Sequence, residues 1–441
     1  MNYKNLIFWS VTVALGGLLF GFDTAVISGG EQAIQQQWRL SDLMVGQMVG
    51  VGLYGTIAGA ALGGLPAQSF GRRPTLLWVG ILFLVCSVGS ALAPNVSWLM
   101  FFRFLGGLAV GVSSVVAPMY IAEIAPTRLR GTLTALFQFN IVLGILLAYL
   151  SNWIIGMNVS DDNAWRWMLG VMAIPSVLYM VGMFFVPESP RWLISAAGKE
   201  AEARKILGRL DPGIVEESIA AFKVKEKSSN TGLSDILSGR FNKPILLVFL
   251  FAFFNQVSGI NAVIYYAPRI LKNLNLGDDA ALLSTTGIGV VNLVFTMLGL
   301  ALIDRFGRRF LMYIGSIGYI LSLGGVAWAF FNNVQGWLVP VLLFVFIASH
   351  AIGQGAVIWV FISEIFPTKV RAFGNSLGSS THWVFAALIA GLFPYFNAAY
   401  GGGIIFAFFA GMMFLQLLFV WLLMPETKGV SLEEMEDKLK Q

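Results

Sequence analysis

Residues 6–30 read LIFWSVTVALGGLLFGFDTAVISGG, a stretch in which Asp23 is the one ionisable side chain. As a helix, an apolar run of this length crosses the ~30 Å hydrocarbon core of a bilayer. The stretch therefore decides the class: the chain enters a membrane. An ionised carboxylate inside a span costs at least ~2.5 kcal/mol, so Asp23 needs a partner, a proton or a water-filled cavity. Arg103, in the apolar stretch 98–122, is the other charge well inside a span. Counting helix rises from each end puts both in the outer half of the bilayer. Such a pair either fixes how two helices register or serves function through titration of Asp23.

The rest of the composition agrees with a membrane protein. Of 441 residues, 57% are hydrophobic and 12% charged, against about 25% charged in soluble domains. Glycine occurs 49 times, which suits helices whose backbones approach closely in lipid. The net charge of +5 does not point to nucleic acid. Of 28 Lys and Arg, Arg39, Arg166, Arg269 and Lys272 fall on one side, Arg103 lies within a span, and the remaining 23 fall on the other side. That asymmetry sets topology and places both termini in the cytoplasm. The lone Cys86 excludes an internal disulfide. The first apolar stretch is too long for a cleavable signal and is expected to serve as the first anchor. Asn95-Val96-Ser97 and Asn158-Val159-Ser160 match glycosylation sequons, which also occur by chance.

Apolar runs of about 20 residues predict twelve spanning helices, at 6–30, 43–65, 74–93, 98–122, 131–155, 165–186, 244–271, 281–303, 309–331, 337–363, 373–397 and 402–424. Six lie on each side of a polar segment, and the two sets repeat. Gly71-Arg72-Arg73 recurs at Gly307-Arg308-Arg309, Glu123-Ile124-Ala125-Pro126-Thr127 at Glu364-Ile365-Phe366-Pro367-Thr368, and Pro187-Glu188-Ser189 at Pro425-Glu426-Thr427. An all-α membrane protein built as two six-helix halves in parallel repeat is the architecture of a rocking carrier. The expected domains are 1–187, a cytoplasmic helical linker at 188–243, 244–427, and a cytoplasmic tail at 428–441.

The linker reads as helical. Ser189-Pro190 and Asp211-Pro212 each place a capping residue before proline at a first helical position. Ala201, Ala203, Ile206, Leu207 and Leu210 form an apolar stripe, and Ile214, Ile219 and Phe222 form a second. Ser431-Leu432-Glu433-Glu434 reads as a capping box opening a last amphipathic turn.

These motifs together resemble the sugar porter family of the major facilitator superfamily over nearly the whole chain. Gly21 to Gly29 resembles the first helix of its proton-coupled members. Pro187-Glu188-Ser189-Pro190-Arg191-Trp192-Leu193 and Pro425-Glu426-Thr427-Lys428-Gly429 resemble the ends of its sixth and twelfth helices. Asp304-Arg305-Phe306-Gly307-Arg308-Arg309 is similar to its loop between helices 8 and 9, and Gln256-Val257-Ser258-Gly259-Ile260-Asn261 to its helix 7 sugar motif. The chain departs from the pattern in four places. Gln68-Ser69-Phe70 lacks the acid and arginine kept at Asp304 and Arg305; Asn255 stands where a second glutamine is common; Ala372 follows Arg371 in place of glycine; and His382 stands before Trp383 where an amide is common.

Polar groups inside the spans supply a binding set: Gln138, Asn255, Gln256, Asn261, Tyr265, Asn292, Trp359, His382 and Trp383. Amides both donate and accept hydrogen bonds, as sugar hydroxyls do, and indole rings cover the apolar face of a sugar ring. With no unpaired cation among them, the expected substrate is a neutral monosaccharide. Gly259 is expected to interrupt its helix, which lipid tolerates where the break lines a cavity.

Burial and a neighbouring guanidinium pull Asp23 in opposite directions and leave it able to titrate. The expected mechanism is proton-coupled symport by alternating access, with the proton as coupling ion and no cofactor. The resemblance implies a latch of ion pairs at the cytoplasmic ends of the helices. Its members are Arg72, Arg73, Glu123, Arg130, Glu188 and Arg191 in the first half, and Asp304, Arg305, Arg308, Arg309, Glu364, Arg371 and Glu426 in the second. A facilitative uniporter and a transporter-like sugar sensor are the alternatives. No paired-carboxylate site, metal cluster or activated nucleophile marks an enzyme, and the carrier is expected to work as a monomer in the cell membrane.

Overall fold

A computed structural model of the chain describes residues 3–126, 129–159, 163–210, 212–225, 241–273, 277–366 and 370–429, which contain helices and no strand. Thr127, Thr368, Ser160, Asp211 and the capping box at Ser431 to Glu434 lie outside them, as do the side chains of Ile214, Phe222 and Arg371. The chain divides into two compact units. One comprises Met1–Trp38 and Val51–Ser229, the other Arg39–Gly50 and Asn230–Gln441.

The first unit contains α1 (Tyr3–Val26) with a 3-10 turn at Ile27–Gly29, α2 (Glu31–Trp38), α3 (Asp42–Leu62, whose first turns cluster with the second unit), α4 (Gly64–Ser69), α5 (Arg72–Ala91), α6 (Val96–Ile124), α7 (Arg130–Asn158), α8 (Ala164–Gly170) and α9 (Ala173–Phe184). Glycine brings α1 and α7 into backbone contact: a Cβ on Gly21 would lie 1.9 Å from the Ile141 carbonyl oxygen, and one on Gly144 would lie 2.1 Å from that of Leu18. In lipid, where apolar side chains gain nothing by leaving their solvent, such close approach is what holds helices together.

After α9 come α10 (Pro190–Ser195), α11 (Glu200–Leu210), a 3-10 turn at Pro212–Ile214 and α12 (Val215–Lys225). Ser189 caps α10 as expected, its Oγ accepting from the Trp192 N–H with Pro190 at the first helical position. Ala203, Ile206, Leu207, Leu210 and Ile219 are buried, whereas Ala201 is exposed and leaves the predicted stripe. Arg204 joins the two helices by pairing with Glu200 at 2.9 Å and with Glu216.

The second unit contains α13 (Asn242–Val257), α14 (Ile260–Lys272), α15 (Asp278–Phe306), α16 (Arg308–Phe331), α17 (Leu338–His350), a π-helical turn at Ala351–Gly355, α18 (Ala356–Ile365) and α19 (Arg371–Leu422). Gly259, left-handed at φ 82°, separates α13 from α14. Among the described residues, eleven helical segments are long and apolar enough to cross a membrane. The predicted eleventh and twelfth spans run together in α19, because the helix continues to Gly401 and breaks there alone, at φ 78° and ψ 157°. At 1.5 Å per residue, α19 is more than twice as long as the ~30 Å hydrocarbon core, so it makes two crossings and the total is twelve. The π turn inside the predicted tenth span was not foreseen, since hydropathy does not register one extra residue in a turn.

Candidate functional sites within the two units

In the first unit, the last turn of α1 presents Asp23 to α6. A Cβ on Gly106 would lie 3.3 Å from Asp23 Oδ1 and 3.6 Å from the Cys86 Cβ, so the bare face of Gly106 seats the carboxyl between α5 and α6. Arg103, one turn earlier on α6, is 3% exposed, and its charge acts on the Asp23 carboxyl. The guanidinium also lies against α3, with Nη2 3.3 Å from the Cβ position of Gly52. The two intramembrane charges named from sequence thus lie on facing helices, with Asp23 against Gly106 one turn from Arg103. Asp23 is half-buried rather than sealed, as is Gln138 on α7.

In the second unit, Gln256 is the hub of an amide cluster at the break in the helix. Its Nε2 donates to Asn255 Oδ1 at 2.8 Å and lies 3.1 and 3.2 Å from the ring nitrogens of His382; its Oε1 accepts from Asn261 Nδ2 at 2.6 Å. Asn255 and Gln256 are 2% and 1% exposed. The His382 ring centroid is 5.1 Å from that of Trp359 and 4.8 Å from that of Trp383. Asn255, Gln256, Asn261, Trp359, His382 and Trp383 thus form one group, in which amides face an imidazole between two indoles. Tyr265 is buried on α14 beside Tyr266. Asn292 is buried on α15, where it accepts from Thr296 of the same helix at 3.4 Å.

The predicted latch resolves into two copies of one constellation. Arg72 forks onto Glu123 (Nε to Oε2 3.1 Å, Nη2 to Oε1 2.9 Å), and Arg308 forks onto Glu364 (3.0 and 2.7 Å). A hydroxyl completes each carboxylate: Ser189 Oγ on Glu123 at 2.5 Å and Thr427 Oγ1 on Glu364 at 2.6 Å. The copies differ at Asp304, which takes Arg308 Nη1 at 3.2 Å, while Gln68 offers its carbonyl to the Trp192 indole at 2.7 Å.

Several expected latch residues have other partners among the described residues. Glu188 and Glu426 cap helix starts instead: Glu188 accepts from the backbone N–H groups of Arg72, Arg73 and Ser189, and Glu426 from those of Arg308, Arg309, Thr427 and Lys428. A carboxylate there satisfies orphan donors and meets the positive end of the helix dipole. Burial nevertheless pushes the Glu188 carboxyl above its usual range, against the pull of those N–H groups and of the Arg72 charge. Arg73 and Arg130 donate to the carbonyls of Phe184 and Ala122, and Arg309 to that of Trp421. Arg305 lies over the Phe306 ring at 5.6 Å, and Arg191 sits half-buried on α10.

One buried network was missed entirely. Gln354 in the π turn donates to Gln416, whose Nε2 donates to Ser316 Oγ at 2.8 Å; Tyr319 OH lies 2.5 Å from His350 Nδ1 and 3.4 Å from Gln354 Oε1. Polar residues inside apolar spans were the available signal, as they were for the amide cluster.

Comparison with known proteins gives a consistent answer. A family model described as "Sugar (and other) transporter" matches residues 9–439. The chain is 34% identical over 477 residues to a D-xylose-proton symporter of Escherichia coli (strain K12), covering 99% of this chain and 96% of that one. It is 35% identical over 441 residues to the glucose transporter GlcP of Staphylococcus epidermidis, covering 99% and 98%. Among solved structures, the inward open conformation of the xylose transporter XylE from E. coli is similar with a TM-score of 0.86 and 32% identity, over 97% of this chain and 98% of that one.

Proposed function

This chain belongs to the sugar (and other) transporter family, and on that premise we propose that it is a proton-coupled symporter importing a neutral monosaccharide, a hexose or a pentose, by alternating access. The single observation that carries the proton coupling is the Asp23 carboxyl seated on Gly106 beside Arg103. Protonation of Asp23 frees Arg103, and release of the proton restores the pair, so the charge state of one carboxyl distinguishes two states of the carrier. The amide cluster around Gln256 supports sugar as the substrate. Its groups donate and accept in alternation, and two indoles stand ready to cover a pyranose face.

One proton moving through about 100 mV supplies ~2.3 kcal/mol, enough for about fifty-fold accumulation of a neutral solute. The protein works as a monomer in the cell membrane with both termini on the cytoplasmic side and with no cofactor beyond the proton. Relatives named for xylose and for glucose support a pentose or hexose substrate. The test is Asp23→Asn in proteoliposomes. It abolishes uphill uptake and leaves exchange of sugar across the membrane intact. Undiminished uphill uptake would rule out Asp23 as the coupling site, and wild-type sugar uptake without external alkalinisation would reduce the protein to a facilitative uniporter.

A further inference from the structure

Ser258 is 0% exposed and sits at the break between α13 and α14, with Gln256 before it and Asn261 after it. A broken helix in lipid must satisfy the backbone groups that the break releases, and a serine side chain can do so. Ser258 Oγ donates to the Asn255 carbonyl at 2.6 Å and accepts from the Ile260 N–H at 3.3 Å. One hydroxyl therefore ties the end of α13 to the start of α14. The neighbouring Gly259 is left-handed and could carry no side chain, because a Cβ there would run into the Phe409 ring on α19.

Ser258 also meets a partner from another helix. The Tyr319 hydroxyl on α16 hydrogen-bonds with the Ser258 side chain, and Tyr319 is 0% exposed. The same hydroxyl lies 2.5 Å from His350 Nδ1 and 3.4 Å from Gln354 Oε1. The His350 ring rests on the far end of the π turn, where a Cβ on Gly355 would lie 3.4 Å from His350 Cδ2. Tyr319 is thus held from the π turn and reaches the break. Neither Ser258 nor Tyr319 belongs to the binding set read from the sequence.

We propose that Tyr319, acting through Ser258, is a positioning residue for sugar recognition. Tyr319 anchors the Ser258 hydroxyl to α16, the anchored hydroxyl sets the angle between α13 and α14, and that angle aims the Gln256–Asn261 pair, whose bond at 2.6 Å crosses the same break. Tyr319 itself is not assigned a contact with sugar. A recognition set binds tightly when its geometry is held before the ligand arrives, because ordering it afterwards draws on the free energy of binding. Without the Tyr319 hydroxyl, Ser258 keeps only its local bonds, and the sugar must order the break itself. The proposal rests on the reading of the amide cluster as the sugar site.

The experiment titrates tryptophan fluorescence with D-xylose and with D-glucose and measures sugar exchange in proteoliposomes, using the full chain as wild type, Tyr319→Phe, Ser258→Ala and Asn261→Ala. Tyr319→Phe keeps the buried ring. We expect it to raise Kd and the KM of exchange together, several-fold, while the maximal exchange rate holds, a split that a folding defect does not produce. Ser258→Ala is expected to do the same, and the double variant to bind no more weakly than the weaker single variant, because both changes cut one link. Ser258→Ala carries the test if Tyr319→Phe does not fold. Wild-type Kd in Tyr319→Phe and Ser258→Ala beside a weakened Asn261→Ala overturns the positioning role and leaves the sugar site standing. Losses that add in the double variant overturn the route through Ser258. Wild-type Kd in Asn261→Ala overturns the sugar reading of the cluster, and the proposal with it.

Discussion

Across the break at Gly259, Asn261 Nδ2 donates to Gln256 Oε1 at 2.6 Å, so an amide on α14 ties itself to an amide on α13. Gln256 thereby has both ends of its side chain engaged before any substrate arrives, and its orientation is set in advance. Asn261→Ala leaves a buried carbonyl without a donor, at a cost of about 1–3 kcal/mol, and is expected to weaken sugar binding by about tenfold or more. Titration of Trp359 and Trp383 fluorescence with sugar checks this. An unchanged Kd would remove the cluster from the binding site.

Arg72–Glu123 and Arg308–Glu364 have the same forked geometry and different exposure. The Glu123 side chain is 6% exposed and that of Glu364 is 29% exposed. Removing one partner of a buried pair costs about 3–5 kcal/mol because the other charge is stranded. Arg72→Ala is therefore expected to lower the thermal midpoint in detergent more than Arg308→Ala, since water can reach Glu364. Arg72→Lys is not expected to restore it, because a single ammonium cannot reproduce the fork. Equal losses in the two alanine variants would show that exposure does not set the cost.

Glu188 makes stability depend on pH with a stated sign. Because burial raises its carboxyl in the folded protein above the ordinary value of 4.5, folding favours its protonated form. Its contribution is fully present below the unfolded value and is lost as pH rises through the folded one. The thermal midpoint of the wild type minus that of Glu188→Gln is thus expected to grow as pH falls from the raised value toward 4.5, and to level off below that. Thermal melts at a series of pH values measure it. A difference that shrinks on acidification would mean that the backbone donors outweigh burial.

Gln354 and Gln416 are both 0% exposed and complete each other. Gln416→Leu strands Gln354 Nε2 and takes a donor from Ser316, a loss of about 1–3 kcal/mol for each group left buried without a partner. The double variant Gln354→Leu/Gln416→Leu removes both amides together and is expected to cost less than the sum of the single variants. A double-mutant cycle on denaturation midpoints in detergent checks this. Strict additivity would show that the two side chains do not act as a unit.

The spans and their twofold repeat were legible in the residues because each rests on a property that lipid makes local. Apolar length sets a crossing, and a charge inside a crossing must find an opposite charge. The amide cluster was partly legible on the same ground: Asn255, Gln256, Asn261, Trp359, His382 and Trp383 come together, while Asn292 bonds within its own helix. The Gln354 network carried the same kind of signal and was passed over.

By itself, then, the sequence determined a twelve-span duplicated carrier with one acid and one arginine in lipid, since hydropathy and desolvation act on residues one at a time. Tertiary structure alone decided what each charge near the helix ends touches. In Arg72-Arg73 and Arg308-Arg309 the first arginine finds a carboxylate and the second finds backbone carbonyls, because successive helical residues point about 100° apart. Glu188 and Glu426 became helix caps for a related reason: their partners are backbone N–H groups more than a hundred residues away in the chain, and such groups carry no mark in the amino-acid sequence.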